Sequence, residues 1–200
     1  PPHYAETENL VYAPHYYEGI TLFTKQFNRN LNADLERMRP LLGATSIKNY
    51  ITRRIQQFRG YADERMGDVP ILIGEFGIPF DMNKQYAYET GEFPLQNIAL
   101  EYYFQAMDKT LMSYTLWNYT SDNTNKHGDL WNGEDLSIFS RDQQQDPSDI
   151  NSGGRALSAI VRPYAKKVAG EPLNMRFDPE KGIFTFSFRH DTSISEPTEL

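Results

Sequence analysis

The sequence predicts an α/β fold of repeated strand–helix units, and three patterns support this prediction. Strands and helices alternate over the first 170 residues in the order strand, helix, strand, helix, strand, helix. Residues 69–74 are apolar at consecutive positions, which is typical of a strand buried on both faces of a parallel sheet. After about residue 170 the apolar residues alternate strictly, which predicts an antiparallel hairpin in a different layer. The predicted domains are therefore residues 1–170 and 171–200.

The first half of the chain contains the first strand and the first helix. Leu10–Ala13 is a short strand-forming run that ends at Pro14. A polar, Asn-rich segment to about residue 45 is predicted to be a loop. Ser46 is a candidate helix cap, and apolar residues at every third or fourth position predict a helix from there to Arg65.

The second half continues the alternation. A helix is predicted over 94–112, a strand over 114–119 and a third helix over 154–168. The hairpin strands are predicted at 173–177 and 183–188. The predicted inward face of the third helix consists of Ala156, Leu157, Ile160, Val161 and Tyr164. Because a closed barrel needs eight strand–helix units, the chain is either a small open α/β domain or the last three units of a barrel.

Composition excludes several classes of protein. The net charge is −7 and no Lys/Arg-rich run occurs, which argues against a nucleic-acid partner. Cysteine is absent, which excludes disulfides and thiolate metal sites and favours a cytoplasmic location. No apolar run reaches the length of about 18 residues that a transmembrane helix needs. The four histidines lack paired spacing and no phosphate-binding Gly-rich loop occurs, so neither a metal nor a cofactor is predicted.

The strongest candidate for a catalytic residue is Glu75. It ends a predicted buried parallel strand and lies between two glycines, directly after Gly74 and two residues before Gly77. The carboxyl ends of barrel strands are where chemistry occurs, and small neighbours are expected to let a substrate approach. The alternative is a structural glutamate that pairs with a basic residue at the strand end.

The neighbouring strand ends carry further candidates. His15 and Tyr17 follow the preceding strand. In extended geometry both side chains point towards the opening at the carboxyl ends of the strands, where Tyr17 can donate a hydrogen bond to Glu75. Trp117 ends the next strand and offers an indole for stacking a sugar, although a core tryptophan is the equal alternative.

The long loop over 120–152 is rich in Asp, Asn and Trp, a composition suited to binding sugar hydroxyls, and loops of this length are uncommon unless functional. Asp129, Glu134 and Asp135 are candidate Ca²⁺ ligands, but a Ca²⁺ site is not predicted because no EF-hand pattern occurs. The candidate sugar-binding residues are Trp117, Asn118, Asp122, Asn123, Asp129 and Trp131.

Three segments together resemble a known family. Pro14-His15-Tyr16-Tyr17, Ile73-Gly74-Glu75-Phe76-Gly77 and Leu116-Trp117-Asn118-Tyr119 resemble the ends of strands six, seven and eight of the barrel of glycoside hydrolase family 5. The block 117–123, with Gly128-Asp129-Leu130-Trp131-Asn132-Gly133-Glu134-Asp135-Leu136-Ser137, is similar to the endoglycoceramidase-related subfamily of fungal glucosylceramidases and steryl-β-glucosidases.

The resemblance implies a function and roles for individual residues. It implies a retaining β-glycosidase that acts on a glycolipid or another β-glucoside with an apolar aglycone, with Glu75 as nucleophile, His15 and Tyr17 assisting it, and Trp117 stacking the glucose. It also implies a C-terminal β-sandwich that begins near residue 171. The acid/base glutamate of the family follows an Asn at the fourth strand, which is not in this chain, so the chain alone is expected to be inactive. With such a substrate, Phe76, Ile78, Phe80 and the loop Tyr86–Tyr88 are candidates for contacting the aglycone. The substrate also suggests peripheral membrane contact.

Two alternatives remain open from the residues themselves. The chain could be a non-catalytic carbohydrate-binding module that stacks sugars on Trp117, Trp131 and its tyrosines. It could also be a small α/β regulatory domain in which Glu75 is structural.

Overall fold

The computed structural model describes residues 9–67 and 69–200. The beginning of the predicted domain 1–170, with His3, lies outside the described residues. The helices are α1 Gly19–Thr24, α2 Ala44–Arg65, α3 Tyr86–Thr90, α4 Pro94–Thr110 and α5 Leu157–Ile160. The strands are β1 Leu31–Asp34, β2 Arg39–Leu42, β3 Leu72–Phe76, β4 Ser113–Leu116, β5 Gly170–Asp178 and β6 Ile183–His190. No helix in this described part of the chain combines the length and the apolar character needed to cross a membrane.

The strand that carries Glu75 lies in the middle of a parallel arrangement. On one side β3 pairs in parallel with β4. On the other side Tyr12 and His15 form parallel bridges to Ile71 and Glu75. Ile73 and Phe76 are completely buried. The buried parallel strand predicted from the apolar run is therefore confirmed, although it begins at Leu72 and includes Glu75.

The predicted first strand is present only as two bridges, at Tyr12 and His15. Its backbone still follows β3, since Leu72 N–H donates to Tyr12 O over 3.0 Å and Gly74 N–H donates to Pro14 O over 2.8 Å. Pro14 has no N–H to contribute to the ladder, which explains the interruption. The segment is therefore extended and parallel but too irregular to form a continuous strand.

The core lies between the parallel strands and two long helices. Helix α2 contributes Ile47, Ile51 and Ile55, and α4 contributes Leu100 and Met107, all at most 3% exposed. Helix α2 begins at Ala44, and Gly43 occupies the N-cap position without a side-chain hydrogen bond. The prediction that Ser46 caps this helix is therefore wrong, because the helix starts two residues before it.

The region predicted as an Asn-rich loop contains regular structure. Helix α1 and the antiparallel pair β1–β2 lie within it. Asp34 at the end of β1 is fully buried, and its carboxylate accepts a hydrogen bond from Arg53 Nη2 over 2.7 Å. This pair joins the hairpin to α2. The short strands have no apolar alternation, so their sequence does not reveal them.

The third predicted helix, 154–168, is wrong in extent. Only α5 is helical, and Val161 and Tyr164, predicted to face inward, are 68% and 57% exposed. Pro163 disfavours helical geometry in the residue before it. That residue, Arg162, instead reaches α4 and contacts the carboxylates of Glu101 and Asp108 at 2.9 and 2.6 Å.

The predicted C-terminal hairpin is confirmed. Strands β5 and β6 pair antiparallel from Gly170 with His190 to Asp178 with Ile183. Phe184, Phe186 and Phe188 stack along one face. The two strands are longer than the alternating runs because polar residues at their outer ends also join the ladder.

Candidate active site

Glu75 faces a shared mouth at the end of the parallel strands. Its Oε2 accepts a hydrogen bond of 3.0 Å from the hydroxyl of Tyr17. His15 Nδ1 lies 3.2 Å from the same oxygen. Among the described residues, no hydrogen bond reaches the other oxygen, Oε1, and the Glu75 side chain is 28% exposed. One oxygen is therefore fixed by its neighbours, while the other is available to a ligand.

The parallel register places Tyr17 and His15 beside Glu75. His15 is bridged to Glu75, and Tyr16 N–H donates to Glu75 O over 2.9 Å. Successive side chains of an extended segment point in opposite directions. Tyr16 accordingly lies in the core against Tyr103 at a ring distance of 5.8 Å, while His15 and Tyr17 face the mouth.

The hydroxyl of Tyr17 is a permanent hydrogen-bond donor. Burial raises its pKa well above the usual value, and the hydrogen bond to Glu75 raises the pKa further. The phenol therefore stays protonated at any pH at which a typical enzyme works. Tyr17 can orient Glu75 but cannot act as a base.

A cavity of about 290 Å³ lies next to this cluster. Four of the sequence-predicted site residues line it: Tyr17, Glu75, Trp117 and Trp131. Three further residues complete the lining: Leu22, Glu134 and Leu136. A larger cavity of about 400 Å³ lies between α2, α4 and β5, but none of these strand-end residues lines it. The smaller cavity is therefore the candidate active site.

The two glycines near Glu75 serve close packing of the chain rather than the approach of a substrate. A Cβ at Gly77 would overlap the carbonyl oxygen of Trp117. A Cβ at Gly74 would lie 3.3 Å from Ala13 O and 3.3 Å from the His15 ring. Trp117 N–H donates to Phe76 O over 2.8 Å, so the small residue at 77 lets Trp117 lie directly beside the strand that bears Glu75.

The polar residues of the long loop bond mainly to one another. Asn123 is fully buried, and its Nδ2 donates to Asp129 Oδ1 at 3.0 Å and Asp135 Oδ1 at 2.8 Å. Asn118 Nδ2 lies 3.3 Å from Asp129 Oδ2. Asp122 is exposed. Four of the predicted sugar-binding residues do not line the cavity. Asn118, Asn123 and Asp129 form hydrogen bonds within the loop instead, and Asp122 is exposed to solvent.

Arg155 anchors the loop through its buried side chain. Its side chain is fully buried, and Nη1 contacts Asp135 Oδ1 at 2.7 Å while Nη2 donates to Asn125 Oδ1 at 2.6 Å. The guanidinium also stacks 5.3 Å from the Phe80 ring and 5.2 Å from the Tyr88 ring. We call Asn123, Asp129, Asp135 and Arg155 the loop network.

The aglycone-contacting residues predicted from sequence are wrong for the apolar positions. Phe76, Ile78 and Phe80 are at most 1% exposed and belong to the core. The Tyr88 hydroxyl donates to Asp135 and is therefore part of the anchoring of the loop, whereas Tyr86 is exposed at 57%. Phe76 packs against Tyr103 of α4 and Tyr114 of β4, and Phe80 packs against Phe93, so these rings stabilise the core.

Sequence reasoning considered Glu134 only as a weak metal ligand and missed it as a cavity residue. A recognisable signal was present, since Trp131-Asn132-Gly133-Glu134 has the Asn-Gly centre of a tight hairpin turn. Asn132 and Gly133 have φ of 49° and 67°, and Glu134 N–H donates to Trp131 O over 2.9 Å. The turn brings Trp131 and Glu134 together at the cavity.

Comparisons with known proteins agree with this geometry. The model of the glycoside hydrolase family 5 C-terminal domain matches residues 162–200. A glucosylceramidase of Rhizopus delemar is 34% identical over 100% of this chain and 33% of its own length. The ergosteryl-beta-glucosidase of Saccharomyces cerevisiae is 34% identical over 66% of the chain and 19% of its own length.

A solved structure is similar over nearly the whole chain. Sterylglucosidase 1 of Cryptococcus neoformans, crystallised with tris, superposes with a TM-score of 0.87 at 30% identity over 95% of this chain and 30% of that chain. The chain thus spans about a third, or less, of the length of these relatives. Its α/β fold is the fold of the corresponding part of the sterylglucosidase. The resemblance predicted from the strand-end motifs is confirmed: this chain is similar to part of the glycoside hydrolase family 5 glucosylceramidases and sterylglucosidases of fungi.

Proposed function

We propose that the full-length protein is a retaining β-glucosidase that acts on a glucoside of an apolar aglycone, such as a steryl glucoside or glucosylceramide. One observation carries the proposal: Glu75 faces a cavity with one oxygen fixed by Tyr17 and with two indoles, Trp117 and Trp131, in the cavity lining. The names of the relatives, glucosylceramidase and ergosteryl-beta-glucosidase, support the substrate class.

In this proposal residues 1–170 form the end of a (β/α)8 barrel. The extended segment at Tyr12–His15, β3 and β4 correspond to strands six, seven and eight. Parallel pairing in this order and functional side chains at all three strand ends support the assignment. Residues 171–200 begin a β-sandwich domain, which the antiparallel hairpin and the C-terminal domain match at 162–200 support.

The mechanism is double displacement. Glu75 Oε1 attacks the anomeric carbon, and an acid protonates the leaving glycosidic oxygen as that bond breaks. Water then attacks the covalent glycosyl-enzyme, and the same acid group, now ionised, takes its proton. Tyr17 and His15 fix Oε2 so that Oε1 faces the sugar, and Trp117 stacks on the glucose ring.

The acid/base group would come from outside these 200 residues. The family resemblance implies an Asn-Glu pair at the fourth strand, and retention requires the two carboxyl groups to be about 5–5.5 Å apart. We therefore expect this chain alone to release no glucose from a β-glucoside, while the full-length protein does.

An apolar aglycone is consistent with the rim of the cavity. Leu130 and Trp131 are 64% and 61% exposed, and Trp131 lines the cavity. Leu22 also lines the cavity, and its neighbour Phe23 is 85% exposed. Exposed apolar side chains of this kind could contact a lipid aglycone, and through it the surface of a membrane. A cytoplasmic or membrane-peripheral location remains a prediction.

The kinetic test is Glu75→Gln in the full-length protein. With 4-nitrophenyl β-glucoside we expect turnover to fall by several orders of magnitude, because an amide cannot form the glycosyl-enzyme. The matched control is Glu89→Gln, since Glu89 is an exposed residue of α3 away from the cavity. Turnover of the Glu75 variant within a few-fold of the unmodified protein would overturn the proposal.

A further inference from the structure

The cavity beside Glu75 contains a second carboxyl group. Glu134 lines it together with Tyr17, Trp117 and Trp131. Neither the double displacement at Glu75 nor the loop network uses Glu134. Its position and its surroundings therefore call for an explanation of their own.

The backbone holds Glu134 in a fixed place. The Asn132-Gly133 turn is closed by the hydrogen bond from Glu134 N–H to Trp131 O over 2.9 Å. Asp129 N–H donates to Glu134 O over 2.8 Å. Gly128 lies so close that a Cβ there would overlap the Glu134 carbonyl oxygen. A residue fixed this closely at a cavity wall is suited to hold a ligand with defined geometry.

The carboxyl group of Glu134 lacks a protein partner. Over residues 9–67 and 69–200, no side chain forms a hydrogen bond or ion pair with it. The nearby cation Lys25 is already paired with Asp81. Burial raises the pKa of Glu134 and the charge of Asp129 raises it further, while Lys25 lowers it and Glu75 adds a smaller raise. A half-buried carboxyl group in an acidic surrounding is stabilised by neutral hydrogen-bond donors.

Sugar hydroxyls are donors of this kind. A cation is the other class of ligand that could satisfy the group, but no cluster of three or more metal-binding side chains occurs in the described part of the chain. A neutral polyol brings several hydroxyl groups on one rigid ring, and its C–H faces stack on indoles such as that of Trp131. A carboxylate can accept two hydrogen bonds from adjacent hydroxyls at once.

We propose that Glu134 is a substrate-binding residue that accepts hydrogen bonds from hydroxyl groups of the glucose ring other than the anomeric position, with Trp131 beside it on the same turn. The inference rests on the proposed function, since it assigns the sugar that Glu75 attacks as the ligand. With Glu75 at the anomeric carbon, Glu134 can meet only hydroxyls at C2, C3, C4 or C6. Glu134 therefore contributes to selecting the sugar, whereas Glu75 breaks the bond.

The test uses the full-length protein with the Glu134→Gln variant. The substrates are 4-nitrophenyl β-glucoside and its 2-, 3-, 4- and 6-deoxy analogues. For the parent glucoside we expect kcat/KM to fall by about tenfold to a hundredfold, the effect of weakening hydrogen bonds to a charged group. For each analogue that lacks a contacted hydroxyl we expect a clearly smaller fall than for the parent glucoside, because that part of the interaction is already absent. Glu89→Gln is the control and should leave all five substrates unchanged.

Three results would overturn the inference. The first is a uniform loss on all five substrates, which a general structural defect would give. The second is an unchanged kcat/KM for the parent glucoside. The third is a loss that is confined to substrates with poor leaving groups and is rescued by azide, because that pattern identifies an acid/base residue instead. If Glu134→Gln does not fold, Glu134→Asp, which keeps the charge, should show the same dependence on the contacted hydroxyls.

Failure of the proposed function gives a different pattern. If Glu75→Gln retains full turnover, or if the unmodified protein hydrolyses none of the five glucosides, the β-glucosidase proposal fails and the inference fails with it. If Glu75→Gln abolishes turnover while Glu134→Gln acts uniformly, only the role of Glu134 is rejected.

Discussion

The strand ends and the long loop are both rich in polar and aromatic residues, yet they use them in opposite ways. At the strand ends Tyr17, Glu75 and Trp117 face an open cavity, and one oxygen of Glu75 has no hydrogen-bond partner among residues 9–67 and 69–200. In the loop, Asn123 and Arg155 are fully buried and bonded to their neighbours. Polar residues that follow buried parallel strands thus lie at the site, whereas the Asp and Asn of the loop mostly hold the loop together.

The physical reason is the cost of burying polar groups. A long loop that covers part of a core must satisfy its own backbone and side chains. Asp129 does so by accepting hydrogen bonds from the N–H groups of Leu136 and Ser137 at 2.9 and 3.1 Å. From this bonded loop, the Trp131–Glu134 turn and Leu136 reach the cavity. The loop network is therefore support for that turn.

The largest effect on stability is expected from the loop network. Arg155→Met leaves Asp135 buried without its cation and should lower the free energy of unfolding of the full-length protein by about 3–5 kcal/mol. Denaturant unfolding measures this. The control is Arg189→Met, which removes a surface pair with Glu171 whose side chains are 70% and 60% exposed and should cost less than about 1 kcal/mol. Equal effects of the two variants would contradict the role of the network.

A second prediction concerns the packing of Trp117 against β3. Gly77→Ala places a methyl group against the Trp117 carbonyl and should destabilise the protein by about 1–3 kcal/mol while also reducing turnover. Gly60→Ala in helix α2 is the control, because nothing lies within 4 Å of the added methyl group. It should stabilise the protein by about 0.5–1 kcal/mol. A harmless Gly77→Ala would show that Trp117 does not need this close contact.

The third prediction separates function from stability at the strand ends. Tyr17→Phe removes the hydroxyl that fixes Glu75 Oε2 and should lower kcat about tenfold to a hundredfold, the value of a hydrogen bond to a charged group. The melting temperature should change little, because the ring remains. A Tyr17→Phe variant that unfolds easily but keeps its kcat would place Tyr17 among the structural residues.

The smallest effect is a dependence of stability on alkaline pH. The pKa of Tyr88 is raised above its usual value by burial and by the adjacent Asp135, so the fold favours the neutral phenol. Its contribution to stability is complete below the unfolded-state pKa of about 10 and falls as the pH rises above that value. Melting temperatures of the full-length protein should therefore fall less steeply between pH 9 and about 11 in Tyr88→Phe than in the unmodified protein. Identical slopes would contradict the burial of this group.

The sequence predicts elements whose signals are local. The consecutive apolar run predicts β3, helical spacing predicts α2 and α4, and strict alternation predicts the β5–β6 hairpin. Contacts between distant residues are missed: Pro163 is a local signal against the long third helix, but the pairing of Arg162 with Glu101, which lies 61 residues away, cannot be read from the sequence. The candidate site divides in the same way, since Glu75, Tyr17 and Trp117 follow from strand positions, whereas the burial of Asn123 depends on Asp135 and Arg155.

Covalent trapping of Glu75 tests the central claim most directly. The full-length protein is treated with 2,4-dinitrophenyl 2-deoxy-2-fluoro-β-glucoside, whose fluorine slows the hydrolysis of the glycosyl-enzyme so that it accumulates. Digestion and peptide mass spectrometry then locate the label. We predict one fluoroglucosyl group per protein molecule, attached to Glu75 and absent from Glu75→Gln. A protein that stays unlabelled, as a carbohydrate-binding module would, or one labelled at another residue, would contradict the account.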